Sequence, residues 1–110
     1  MKYLVLAYGA EADWKELTAD QQAELLKQDD VLRERGALIG AVHNEPTTVT
    51  APDGTLTVTP GTFASPRVPL AGFAIIEAAD LDEAVRLIAD TPCVRAKGAV
   101  ELRPMMAVND

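Results

Sequence analysis

The chain has 110 residues, 48% hydrophobic and 25% charged, with a formal net charge of −7. That composition suits one folded domain spanning residues 1–110 and argues against disorder. Ten basic residues scattered through an acidic chain do not build the concentrated positive surface that nucleic acid or an anionic membrane requires.

Cys93 is the single cysteine, so no intrachain disulfide can form, and a reducing cytoplasm is the expected location. The apolar run Tyr3 to Tyr8 is too short for a membrane span or a signal-peptide core. It is apolar at every position, the pattern of a strand covered on both faces. Gly9 to Ala12 ends it, and Asp13-Trp14-Lys15 reads as a short helical turn, with Trp14 as a core anchor or a lid. Thr18-Ala19-Asp20-Gln21 is a capping box, opening a helix that runs to about Arg35 and stops at Gly36. Its apolar stripe is Leu25, Leu26 and Leu32. Asp29 interrupts that stripe at helical spacing, placed at the wet margin or, if buried, beside Arg33.

Ala37 to His43 predicts a second strand. Thr47–Ala51 and Thr55–Thr59 flank Pro52-Asp53-Gly54 as a hairpin wet on one side. The stretch Pro60 to Leu70 carries three prolines and a glycine that constrain its path, so it reads as a fixed loop walling a ligand pocket. Ala71 to Glu77 is another strand, mostly an unbroken apolar run. Asp80 caps a helix whose stripe is Leu81, Ala84, Val85 and Ile88, ended by Pro92. Ala99 to Arg103 alternates as the last strand. Two helices cover only one face of such a sheet, while two strands look buried on both. Pairing of two copies through their sheets is the expected answer.

From these residues the chain resembles the YCII-related proteins, in the branch named for an Asp-Gly-Pro-Phe motif. The likeness rests on Met1-Lys2-Tyr3-Leu4, Tyr8-Gly9, Gly36, Thr48 to Gly54, Gly72-Phe73, Asp80 to Ala84 and Glu101-Leu102-Arg103-Pro104. It implies an α+β fold: a ferredoxin-like unit with an inserted β-hairpin, pairing as a dimeric α+β barrel. Related proteins include a lyase-like dehydrochlorinase acting on aromatic substrates. The name-giving motif is altered here to Pro60-Gly61-Thr62-Phe63, and the acidic residues that usually follow are absent from Ser65-Pro66-Arg67-Val68.

The candidate site residues divide by chemistry. His43 or Glu101 would move a proton. Arg67 or Arg103 would hold a carboxylate or enolate, and Phe63 and Tyr8 would contact the substrate. Glu101 and Arg103 share one face of the last strand, opposite Val100 and Leu102, and an interface ion pair is their structural alternative. One histidine with one nearby glutamate falls short of a metal site, Cys93 has no neighbouring histidine, and no nucleotide or hydrolase motif occurs. No cofactor or metal is expected. The functional expectation is a homodimer binding a small anionic or aromatic metabolite with lyase- or isomerase-like activity. Its alternatives are a non-catalytic ligand-binding or accessory protein, or a dimer whose pocket is closed by side chains.

Overall fold

The computed structural model describes residues 1–107. Four strands form an antiparallel sheet: β1 (Lys2–Tyr8), β2 (Leu38–Ala41), β5 (Leu70–Glu77) and β6 (Ala99–Pro104), in the order β2-β5-β1-β6. Two helices, α2 (Ala19–Glu34) and α3 (Leu81–Ile88), connect them. This is the ferredoxin-like arrangement of an α+β unit. The inserted hairpin, β3 (Thr47–Thr50) with β4 (Thr57–Pro60), forms a separate two-stranded sheet. Short helices α1 (Glu11–Lys15) and α4 (Pro92–Arg95) follow β1 and α3. Among the described residues no helix is long and apolar enough to cross a membrane.

Local chemistry explains where α2 begins and ends. Thr18 accepts a hydrogen bond from the Gln21 amide at 3.1 Å, and Gln21 accepts one from the Thr18 amide at 2.9 Å. At the other end the Gly36 amide donates to Arg33 O at 2.9 Å and the Ala37 amide to Leu32 O at 3.0 Å. Gly36 has φ 90°, a left-handed value that an L side chain resists, so the glycine makes this closing turn possible.

The core lies on one face of the sheet. Tyr3 and Val5 from β1 and Ala74 and Ile76 from β5 pack with Leu32 of α2 and Ala84 and Ile88 of α3. Strand alternation places Leu4, Leu6, Phe73 and Ile75 on the opposite face, where they are only half-buried, and Leu38 there is 59% exposed. Within one chain these strands are therefore not covered on both sides.

Three expectations change. The buried stripe of α3 is Ala84, Leu87 and Ile88, whereas Leu81 and Val85 are exposed, so the helix is rotated from the stripe read in sequence. Pro92 does not merely stop that helix. It opens α4, where its missing amide proton costs nothing in the first turn. The hairpin is exposed on both faces: Val49 and Val58, paired across it, are each 59% exposed, and Leu56 is 67% exposed. It packs chiefly on itself and stands off as an arm. The radius of gyration, 15.9 Å, accordingly exceeds the roughly 13 Å of a compact chain of this length.

Candidate functional site

Between the core face of the sheet and helices α1, α2 and α4 lies a cavity of about 840 Å³. Small-molecule sites span roughly 300–1,000 Å³, so the size suits a metabolite. Its floor is small because β1 and β5 present Ala7, Gly72 and Ala74 where longer side chains would fill the space. Trp14, Leu26, Ile39 and Ile88 supply apolar walls. In the single chain the cavity opens to solvent.

Helical spacing directs a small polar set into these walls. Leu26, Asp29 and Arg33 recur at i, i+3 and i+7 on α2, one face of the helix, and all line the cavity. Asp29 is half-buried. Burial pushes its carboxyl above the ordinary value, Arg33 one turn on pulls it back, and Asp30 adds to the rise. Arg33 itself bonds Asp30 at 3.1 Å. Cys93, on α4, also lines the cavity. Burial raises its thiol pKa, and the nearby Asp29 charge raises it further, which disfavours the thiolate and a nucleophilic role. The thiol can pack against the end of β1 because Gly9 lies there; a Cβ on Gly9 would sit 3.1 Å from Sγ. Thr91, buried ahead of α4, donates its hydroxyl to Ile88 O at 2.6 Å and fixes the turn between the two helices.

The residues singled out from sequence fall in three places. His43, just past β2, lines the cavity and is exposed at its rim. Glu101 and Arg103 point away from the helices, since Val100 and Leu102 of the same strand pack on the core. The two bond each other at 3.0 Å and remain exposed. Tyr8 is half-buried beside an irregularity in the β1–β5 pairing and is not a lining residue. Phe63 is 86% exposed and Arg67 is exposed as well. Of the constrained loop, only its end, Pro69 with Leu70, forms cavity wall. His43 thus lines the same cavity as Asp29, Arg33 and Trp14, and the other five candidates do not. Among the described residues no group of three or more His, Cys, Asp or Glu could hold a metal ion.

Asp29 and Arg33 were within reach of sequence reasoning. A carboxylate interrupting an apolar stripe, with a cation one turn later, is the signal. The contribution of α4 was hidden by reading Pro92 only as a helix terminator.

No curated protein matches the chain. Among solved structures it is similar to 5-chloro-2-hydroxyhydroquinone dehydrochlorinase from Burkholderia phenoliruptrix AC1100, in complex with 2,5-dihydroxybenzoquinone. The two share 17% sequence identity with a TM-score of 0.52, over 99% of this chain and 97% of the other. At that identity the likeness speaks for the fold. The YCII-related domain profile matches residues 1–109, and the chain therefore belongs to the YCII-related family.

Proposed function

We propose that residues 1–110 form one domain of the Asp-Gly-Pro-Phe branch that binds a small metabolite as a cytoplasmic homodimer and carries out lyase- or isomerase-like proton transfer on it. The observation that carries this reading is the open, apolar-walled cavity with a few polar groups on its lining, the arrangement typical of small-molecule sites. His43 at the rim would move a proton. On the bare face of the sheet a second copy would cover Leu4, Leu6, Phe73 and Ile75, and would bring Tyr8, Glu101 and Arg103 into the space between the sheets. The barrel expected from the family would then be closed. Phe63 and Arg67, exposed on their loop and outside the cavity lining, would meet the partner copy there.

The structurally similar dehydrochlorinase, in complex with 2,5-dihydroxybenzoquinone, suggests hydroxylated six-membered rings as first probes. A ligand that binds only the folded state raises the melting temperature. The test is a thermal melt with that quinone for the wild type and for Ala41→Trp, whose indole would occupy the cavity from the exposed edge strand β2. The wild type should be stabilised and the variant should not. Equal behaviour of the two would sink the reading. Binding without any spectral change of the ligand, unaffected by His43→Ala, would favour the non-catalytic alternative.

A further inference from the structure

The same cavity supports a sharper assignment, in which the proton is taken by Asp29 in the wall and not by His43 at the rim. Asp29 is the carboxylate set into its wall, whereas Glu11 and His43 are exposed at the margin. Its carboxylate feels Arg33 and Asp30 through space, and no side-chain hydrogen bond among the described residues commits it to a structural task. Arg33 lies one turn along the same face, and one of its nitrogens is taken by Asp30 at 3.1 Å. A guanidinium has five N–H donors, so several remain for a ligand. A base and a cation one helical turn apart, over an apolar floor, form a place where a neutral acid can part with its proton and the resulting anion is held.

We propose that Asp29 is the proton acceptor of the cavity and Arg33 the anchor for the anion so formed, the ligand being a small, uncharged ring with an acidic O–H or C–H conjugated to the ring or to a carbonyl. The ligand enters neutral because the chain carries a net charge of −7 and the wall already holds a carboxylate. Apolar surroundings also disfavour a preformed anion. The Asp29 carboxylate takes the proton. The electron pair of the broken O–H or C–H bond stays on the ligand as a phenolate or enolate, facing Arg33. The Asp29 carboxyl then returns the proton, to the same atom in simple binding or to a different carbon in an isomerisation, with no other reactant consumed. Loss of hydration primes the base, since a carboxyl above its ordinary value is a better proton acceptor once ionised.

This rests on the cavity being the ligand site, and the experiment separates the two claims. The probe is 4-nitrophenol, whose absorption distinguishes phenol from phenolate, titrated into full-length wild type, Asp29→Asn, Asp29→Ser, Arg33→Gln and Ala41→Trp across the acidic to neutral range. The titratable and charged groups acting on Asp29 are Arg33 and Asp30 on its own helix, with Cys93 of α4 nearby, and Glu11 on α1 and His43 beyond β2 lie on the same cavity lining. Wild type should bind the probe and show phenolate absorption at pH values where the free probe is still protonated. Both Asp29 variants should bind at least tenfold more weakly and lose that absorption. Arg33→Gln should retain the neutral phenol but lose the phenolate, and Ala41→Trp should bind nothing. Unchanged affinity and spectrum in both Asp29 variants, with binding lost in Ala41→Trp, would overturn the role of Asp29 and leave the cavity as the site. Binding retained by Ala41→Trp would overturn the cavity itself, and no binding to the wild type would overturn the ligand class.

Discussion

Asp29 sits where a carboxylate loses part of its hydration, and the consequence reaches stability as well as chemistry. Its folded-state value lies above the ordinary 3.8, so the ionised form is disfavoured by folding. The stability contribution of this group is therefore fully present below the ordinary value and is lost as pH rises through the folded one. Asp29→Asn removes the penalty. Thermal melts should show the variant more stable than wild type at neutral pH, with the gap closing as pH falls below the ordinary carboxylate range. A variant less stable at neutral pH would mean that the carboxylate makes structural bonds. Single residues were legible in the sequence where local geometry decides them. Thr18, Gln21, Gly36 and Asp80 act through bonds to backbone within a few positions, and each takes its expected place. Phe63 and Arg67 were read as substrate contacts on a loop expected to wall the pocket, and they lie exposed outside the cavity of the single chain. Prolines fix a loop's local path but not the direction in which the whole loop leaves the body.

Among the elements, α3 shows what periodicity leaves open. Leu81, Ala84, Val85 and Ile88 make a regular stripe, yet Ala84, Leu87 and Ile88 make the contact. The two stripes overlap, and the choice between them depends on how the helix is set on the sheet, which the spacing of α3 alone does not contain. A matched pair of truncations tests the observed rotation. Ile88→Ala should cost about 2–4 kcal/mol, as core truncations do, whereas Leu81→Ala should change stability by less than about 1 kcal/mol. Urea unfolding of the two variants measures both. Equal costs would restore the stripe read from sequence. The strands were legible as elements because unbroken apolar runs are uncommon outside buried sheet. The ends of β2 were not: the expected Ala37 to His43 shrinks to Leu38–Ala41 because Ala37 closes the helix turn. That shortening places His43 beyond the strand, at the cavity rim.

At the scale of the whole molecule, two surfaces lack cover among the described residues: the outer face of the sheet, and the hairpin arm with Val49, Leu56 and Val58 exposed. Sequence reasoning arrived at the first from two strands that looked buried on both sides, and a second copy remains the proposal that covers it. Ile75→Glu places a charge at the centre of that face, at a position only half-buried in the single chain. If the face is the dimer interface, the variant should stay folded and weaken the dimer by about 2 kcal/mol or more, read by light scattering across a dilution series. A dimer of undiminished strength would move the interface elsewhere.

The cavity is the central claim, and the two faces of the sheet offer a direct test of it, because neighbouring residues on one strand report opposite sides. The measurement is a methyl-labelled NMR titration with 4-nitrophenol, at a pH where the free phenol is protonated. Ligand in the helix-side cavity should shift the methyls of Val5, Ala74, Ile88 and Val100 and leave those of Leu4, Leu6 and Ile75 in place. Shifts confined to Leu4, Leu6 and Ile75 would put the ligand between sheets and contradict the account.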